Sequence, residues 1–222
     1  MQNYIINPLP AQIPDEVLDK LRNCETATIG HFLHGGFVSP DIRPLDSSRR
    51  IAGTAVTLKI GGPDSAMLHH VVSTLRPGDV LLIDRCGDSK HACLGGGVAL
   101  AAALRDIEGV VIDGPMTDQT EVRGTGLAVW SKGSSSITTK LFGMPSEFNT
   151  VASVGGIAVR PGDAVLADES GVVVLAPEEA ESIAETALEM QEEESQFLQK
   201  LREGSKMGEL SGATKMILEK IG

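Results

Sequence analysis

The sequence predicts an α/β fold, and a unit of strand, glycine turn, helix and strand is the main observation behind this prediction. Two short apolar runs, 80–84 and 109–113, have the length and composition of buried strands. The Ala- and Leu-rich segment 92–105 between them contains Gly95-Gly96-Gly97, which predicts the N-terminus of a helix. A crossover of this kind is right-handed and places its two strands parallel and close together.

A repeated sequence is the second observation. Residues 76–84 read Arg-Pro-Gly-Asp-Val-Leu-Leu-Ile-Asp, and residues 160–168 read Arg-Pro-Gly-Asp-Ala-Val-Leu-Ala-Asp. In each copy the Pro-Gly pair predicts a tight turn, and the apolar run that follows predicts a buried strand ending in Asp.

The other elements follow from apolar spacing and from glycine and proline positions. A proline-rich loop precedes a helix that contains Val17, Leu18 and Leu21. A second helix is predicted from Thr26 to the paired glycines at 35–36. Strands are predicted at 51–60, 151–160 and 164–175, with a polar loop over 131–150.

The C-terminal part is predicted to be a long helix over 178–203 followed by an arm. Acidic residues dominate the first half of this helix, and its first basic residue is Lys200, an order that suits the helix dipole. We expect a partly ordered arm from Gly204 onward. The chain is thereby divided into an α/β domain, residues 1–177, and a C-terminal helix and arm, residues 178–222, that packs on a neighbouring subunit.

Composition excludes several classes of function. The 222 residues carry 19 Lys and Arg against 30 Asp and Glu, a formal net charge of −11, and only 3% are aromatic. Nucleic-acid binding depends on basic side chains and often on aromatic stacking, so we expect no nucleic-acid partner. No apolar run approaches the roughly 18 residues that cross a bilayer, and no signal sequence is visible. We therefore expect a soluble, cytoplasmic protein with no membrane contact.

The isolated reactive side chains give weak signals. Three cysteines without a CxxC spacing are expected to be reduced thiols, and they do not predict a zinc site. His69 and His70 are adjacent, so on a helix their side chains point about 100° apart and do not form a metal site together. His91 lies nearer the glycine turn and is a candidate for proton transfer.

The glycine turn and the loop after the second strand form the candidate site. Backbone N–H groups at a helix N-terminus bind carboxylates or phosphates, so Gly95-Gly96-Gly97 predicts an anion site; a packing turn is the alternative. If the two strands are neighbours, the loop that begins at Asp113 brings Asp118 next to this turn. Asp118 is then a candidate ligand for Mg²⁺, which takes few protein carboxylates and retains several waters. The alternative is that Asp118 caps a helix that begins near Thr120.

Three strings, GDVLLID, GGGVALAAALRDIEGVVIDGPMTD and GGIAVRPGDAVLADESGVVVLAP, together resemble the RraA-like family, as do segments 41–45 and 52–57. The resemblance covers residues 25–200. The family contains metal-dependent class II aldolases that act on 4-hydroxy-4-methyl-2-oxoglutarate and oxaloacetate, and a non-catalytic regulator that binds a ribonuclease. The resemblance implies a compact β/β/α swivelling domain with a C-terminal helical extension. It also implies a homotrimer or a dimer of trimers, with sites between subunits.

The resemblance implies site residues as well. The family's aldolases bind a divalent metal, Mg²⁺ or Mn²⁺, through an Asp that is Asp118 here. An acid on the C-terminal helix of a neighbouring subunit completes the water shell, and by spacing it corresponds best to Glu194, with Glu193 next. The pyruvyl group binds at the glycine turn, which corresponds to Gly95, Gly96, Gly97 and Val98.

The chain departs from the aldolase pattern at Thr117. The family's aldolases have an Arg there that contacts the substrate carbonyl, and the loss of one such donor typically costs about a hundredfold to a thousandfold in rate. We propose Arg85 as the replacement, because it directly follows a predicted strand end. Arg123 is the second choice; the alternative for it is a surface Arg that pairs with Glu121 or Asp118.

The leading hypothesis is a divalent-metal-dependent carbon–carbon lyase that releases pyruvate from a small 2-oxo acid, by retro-aldol cleavage or decarboxylation. In this hypothesis Arg85, Asp118 and Glu194 are catalytic, and the glycine turn and Thr117 bind the substrate. One alternative is a non-catalytic RraA-like regulator that binds a protein partner such as a ribonuclease. Another is an enzyme whose substrate has changed because of Thr117.

Overall fold

A computed structural model describes residues 4–221 and shows a central sheet with helices on one face and strands on the other. The strands are β1 (Tyr4–Ile6), β2 (Arg43–Pro44), β3 (Ile51–Ile60), β4 (Asp79–Asp84), β5 (Gly109–Ile112), β6 (Ala128–Ser131), β7 (Ser146–Phe148), β8 (Ala152–Val154), β9 (Ile157–Val159), β10 (Ala164–Ala167) and β11 (Val172–Leu175). The helices are α1 (Asp15–Arg22), α2 (Thr26–Ile29), α3 (Ala66–Val71), α4 (Gly96–Ala103), α5 (Gln119–Gly124), α6 (Pro177–Arg202), α7 (Met207–Leu210) and α8 (Ala213–Ile221).

The centre of the sheet is parallel. β3 pairs with β4, β4 with β5, and β5 with β6, all in parallel. The other edge of β3 is shared, because its first four residues pair antiparallel with β10 and its last three residues pair antiparallel with β7. The predicted parallel pairing of β4 and β5 around a helix is therefore confirmed, and the carboxyl end of each strand opens onto the same edge of the sheet.

Two hydrophobic cores lie on opposite faces of this sheet. α3, α4 and α5 cover one face, where Leu68, Ala99 and Val122 are buried. The hairpins β8–β9 and β10–β11 cover the other face, where Trp130 and Val165 are buried. α1, α2 and the first part of α6 add a further layer outside β10 and β11. This layering confirms the predicted β/β/α class.

Both repeated Arg-Pro-Gly-Asp turns have the same construction. Gly78 and Gly162 have φ values of +84° and +95°, which glycine adopts without strain. In each turn the Asp carboxylate accepts a hydrogen bond from the backbone N–H three residues earlier, at 2.8 Å for Asp79 and 2.7 Å for Asp163. Burial raises the pKa of Asp163. The strands predicted after the turns are β4 and β10.

The C-terminal helix has the predicted extent, but the arm does not have the predicted character. α6 buries Ala180, Ala184 and Ala187 against the domain, and its second half is largely exposed. The residues after Gly204 were expected to be partly ordered; they form α7 and α8. The reason is local, since 213–221 contains neither Gly nor Pro and consists mostly of good helix formers. Within residues 4–221 no helix is both long enough and apolar enough to cross a membrane.

Other differences from the prediction occur where tertiary pairing decides the structure. β1 and β7 lie in segments predicted as loops; they pair with each other, and β7 pairs with β3. α2 ends at Ile29 and only single turns follow, so the predicted helix to residue 35 is wrong. The predicted helix N-terminus at the glycine turn is confirmed, since α4 begins at Gly96; Ala92 lies before the helix, in a parallel bridge with Thr138.

Candidate active site

A cavity of about 360 Å³ opens at the N-terminus of α4. It lies between α3, the glycine turn, the loop from β5 to α5, and the loop from β6 to β7. The sequence-predicted residues that line it are Gly95, Gly96, Gly97, Val98, Thr117 and Asp118. The further polar residues that line it are Ser65, His69, Thr138 and Thr139.

The N-terminus of α4 presents backbone donors to this cavity. Gly95 is the N-cap in an extended conformation, and no side chain caps the helix at that position. The first bond of the helix runs from the Ala99 N–H to the Gly95 carbonyl at 2.9 Å, so the N–H groups of Gly97 and Val98 have no partner within the helix. These donors and the positive end of the helix dipole favour a bound carboxylate.

Asp118 lies beside these donors. Its Oδ2 accepts a hydrogen bond from the Gly96 N–H at 3.2 Å, and its Oδ1 accepts one from the Thr117 hydroxyl at 3.2 Å. Asp118 occupies the N-cap position of α5 with φ +53°, but its carboxylate does not bond to the N–H groups of α5. The carboxylate therefore faces the glycine turn, as predicted from the neighbouring strands, and the alternative of a simple cap is not observed.

The glycines of the turn are required to different degrees. A Cβ on Gly95 would lie 2.5 Å from the Asp118 Oδ2 and 2.9 Å from the Thr117 Cγ2, so any side chain there would displace the carboxylate. A Cβ on Gly96 would collide with the side chain of Glu121. Gly97 has open space where a Cβ would be, so this position leaves room for a ligand.

A family profile described as RraA-like, Aldolase/RraA, matches residues 15–174. The chain belongs to the RraA-like family.

Relatives and solved structures agree with this membership. A Halalkalibacterium halodurans protein with the provisional name 4-hydroxy-4-methyl-2-oxoglutarate aldolase is 27% identical over 182 residues, 82% of this chain and 86% of its own length. An Albidiferax ferrireducens protein with the same provisional name is 33% identical over 144 residues, 62% of this chain and 83% of its own. Streptomyces coelicolor RraAS2, described as an unusual member of the RNase ES inhibitor RraA protein family, superposes with a TM-score of 0.73 at 24% identity, covering 85% of this chain and 98% of its own. The last likeness shows the fold.

Arg85 does not take the place of the missing Arg in this RraA-like cavity. Its side chain is fully buried, and its guanidinium donates to the carbonyls of Ile60 at 3.1 Å and Gly62 at 2.6 Å. It also lies 3.4 Å from the Asp88 Oδ2. The expectation that Arg85 reaches the glycine turn is therefore wrong, because both of its Nη atoms donate to these carbonyls on the inner side of the 86–91 loop.

Arg123 and Glu194 also lie outside the cavity in this chain. Arg123 donates to the Leu45 carbonyl at 3.2 Å and lines a separate cleft of about 550 Å³ with Arg43 and Lys132. Arg123 forms no ion pair with Glu121 or Asp118. It is therefore observed neither as a replacement for the missing Arg at the glycine turn nor as the partner of either acid. Glu194 and Glu193 border a groove beside α2. A contribution of Glu194 to the glycine turn therefore requires a neighbouring subunit, and this role stays a prediction.

Three further groups around the cavity were not assigned to it from the sequence. Glu121 lies against Gly96, and its spacing of three residues from Asp118 on α5 is the signal that identifies it. His69 and Ser65 come from α3. No local signal indicates them, because α3 is brought to the cavity by a tertiary contact, between the turn that follows it at Val72–Thr74 and α4.

Two other candidate reactive side chains, His91 and Cys93, are hydrogen-bonded or buried. The His91 Nδ1 lies 2.8 Å from the Asp88 Oδ2. Burial alone would raise the pKa of Asp88, but hydrogen bonds from the Lys90 N–H and from His91 outweigh it and lower that pKa. Burial raises the pKa of Cys93 to about 11, so this thiol stays protonated near neutral pH and is a poor nucleophile.

The donor atoms at the turn fit an oxygen-preferring cation. Asp118 is exposed and its two oxygens accept one hydrogen bond each, so lone pairs remain for a ligand. Within residues 4–221 no group of three His, Cys, Asp or Glu side chains is placed to hold a metal ion. A single exposed carboxylate of this kind is a ligand that Mg²⁺ can take, because that ion binds few protein carboxylates and keeps several waters.

Proposed function

We propose that this RraA-like protein is a divalent-metal-dependent carbon–carbon lyase that acts on a small 2-oxo acid and releases pyruvate. The observation that carries the proposal is the exposed Asp118 carboxylate beside the Gly97 and Val98 N–H groups, which have no partner within α4. A 2-oxo acid needs donors for its carboxylate and a cation near its carbonyl, and this cavity offers both kinds of contact. The aldolase names of the relatives support the same assignment.

Each residue of the cavity has a separate role in the proposed reaction. The N–H groups of Gly97 and Val98 bind the substrate carboxylate, and the Thr117 hydroxyl orients Asp118 through its hydrogen bond. Asp118 holds Mg²⁺ or Mn²⁺, which when bound supplies Lewis-acid polarisation of a carbonyl oxygen. Because Thr117 carries no charge, we expect a turnover about a hundredfold to a thousandfold below that of a relative with Arg at this position.

The assembly that we propose is a homotrimer or a dimer of trimers. In its own chain Glu194 lies in the groove beside α2, so a role at the glycine turn requires α6 of another copy. Light scattering coupled to gel filtration tests this directly, since a monomer in solution would exclude Glu194 from the site.

The test of the lyase is pyruvate release from oxaloacetate and from 4-hydroxy-4-methyl-2-oxoglutarate with Mn²⁺ or Mg²⁺. The rate with the metal alone is subtracted, because free divalent metals also promote decarboxylation of oxaloacetate. We expect metal-dependent release by the wild type and its loss in Asp118→Ala. Asp41→Ala is the matched control, since it removes an exposed carboxylate that lines the other cleft. Equal rates in the wild type and Asp118→Ala would contradict the proposal.

The second candidate function is a non-catalytic regulator that binds a protein partner. Thr117 favours it, because the charged group expected at a catalytic centre of this family is missing there. The exposed acidic residues of α6 offer a surface for a basic partner. Inhibition of a purified RNase E-type ribonuclease, without metal-dependent pyruvate release, would support this candidate over the lyase.

A further inference from the structure

We propose that His69 binds the substrate in this cavity and supplies the hydrogen-bond donor that Thr117 and Arg85 do not. The inference rests on the proposed function and names a further substrate-binding residue for it. His69 lies on α3, and it lines the same cavity as the glycine turn, Thr117 and Asp118.

The composition of the cavity wall points to His69. Among the described residues that line the cavity, His69 is the one basic side chain. Arg85 is buried with its donors directed to backbone carbonyls, and Arg123 lines a different cleft. The Asp118 carboxylate lines the same cavity, and a 2-oxo dicarboxylate brings further negative charge, so a hydrogen-bond donor from His69 stabilises the bound substrate.

The side chain of His69 is also available. It is exposed, and the hydrogen bond that anchors the residue is made by its backbone, from the His69 N–H to the Ser65 carbonyl at 3.1 Å. Within residues 4–221 its ring forms neither a hydrogen bond nor an ion pair with the protein. An imidazole carries at least one N–H in either protonation state, so the contact does not depend on a particular charge.

The neighbouring His70 provides a natural contrast. The two residues are adjacent on α3, but His70 lines a separate apolar cavity with Tyr4 and Met67. Both imidazoles are exposed and both come from the same helix, so a general effect of losing an imidazole from α3 would be the same for the two variants. If ligand binding is weakened in the His69 variant and not in the His70 variant, the substrate lies against the cavity wall that His69 forms.

The experiment measures oxalate binding by calorimetry at saturating Mn²⁺, with oxalate as the probe because it resembles the planar enolate of pyruvate. We expect His69→Ala to weaken oxalate binding about tenfold to a hundredfold, the range for a hydrogen bond to a charged group. His69→Asn, whose amide also donates, regains part of the affinity, and His70→Ala binds as the wild type does. On addition of oxalate, the ring NMR signals of His69 shift and those of His70 do not.

The possible failures are distinguishable. If oxalate binds the wild type, is lost in Asp118→Ala and is unaffected in His69→Ala, the role of His69 is overturned and the lyase proposal stands. If oxalate does not bind the wild type at all, the proposed function itself fails and the His69 contact fails with it. Melting curves for each variant exclude misfolding as the cause of a loss.

Discussion

Asp84 and Asp113, which end the central strands β4 and β5, are bonded to groups of the protein, whereas Asp118, in the loop after β5, has an exposed carboxylate. Asp84 accepts hydrogen bonds from the N–H groups of Cys86 at 2.7 Å and Ser153 at 3.0 Å. Asp113 accepts one from the Gly155 N–H at 2.9 Å and pairs with Lys132. Asp118 is exposed, and a single backbone N–H reaches it at 3.2 Å.

This comparison shows what makes a carboxylate available for function. All three acids lie near the same edge of the sheet, and nothing in residue type separates them. Asp84 and Asp113 are already neutralised or hydrogen-bonded by loops that they hold in place, whereas Asp118 keeps lone pairs on the side of the cavity. The first two are therefore expected to govern stability, and the third to govern metal binding.

The largest effect is expected when the charge of Asp118 is removed. Asp118→Asn keeps the size of the side chain but weakens its affinity for a cation, so we expect Mn²⁺ binding to fall by more than about a hundredfold, beyond the usual effect of outer-shell changes. The melting temperature should change little, because the side chain is exposed. Calorimetric titration with Mn²⁺ measures this, and unchanged affinity would exclude Asp118 as the ligand.

The next effect separates two glycines of the turn. Gly95→Ala displaces the Asp118 carboxylate, and a shift of about 1 Å in a catalytic group can cost on the order of a hundredfold in kcat/KM. Gly97→Ala has open space for its methyl group and should retain the Mn²⁺ affinity of the wild type. Steady-state kinetics and Mn²⁺ titration of the two variants test the difference. Equal losses of Mn²⁺ affinity in Gly95→Ala and Gly97→Ala would contradict the idea that contact with the Asp118 carboxylate separates the two positions.

A strand-ending acid should give the opposite result. Asp84→Ala leaves the N–H groups of Cys86 and Ser153 without their acceptor, which we expect to lower the free energy of unfolding by about 1–3 kcal/mol. Mn²⁺ affinity should stay unchanged at temperatures where the variant is folded. Urea unfolding measures the decrease in the free energy of unfolding. If Asp84→Ala instead lost much of its Mn²⁺ affinity and kept its stability, Asp84 would behave as Asp118 is expected to, and the proposed difference between the two acids would be wrong.

The smallest effect concerns Asp64, which holds the loop carrying Thr138 and Thr139. Burial alone would raise the pKa of Asp64, but backbone N–H groups of Phe142, Ala66, Met144 and Gly143 outweigh it and lower that pKa. The carboxylate therefore stabilises the fold above its unfolded pKa of about 3.9, and this stability is lost as the pH falls through the lower folded value. The difference in unfolding free energy between the wild type and Asp64→Asn should narrow in acid, as measured by urea unfolding at several pH values; a constant difference would contradict this.

The sequence by itself determined the elements whose signals are local. The bounds of β3, the two Arg-Pro-Gly-Asp turns and the extent of α6 all follow from residues that are close together in the chain. The proximity of Asp118 to the glycine turn was also predictable, because a crossover between parallel neighbours leaves little freedom in where the loop after β5 can lie.

Only the tertiary structure decided which side chains share the cavity. The direction of Arg85 depends on carbonyls more than twenty residues away, at Ile60 and Gly62, and the pairing of β1 with β7 spans the domain. His69 reaches the cavity because α3 shares a hydrophobic core with α4 and the turn that follows it, Val72–Thr74, packs on α4. These outcomes are set by contacts between distant segments, which the local preferences of either segment do not encode.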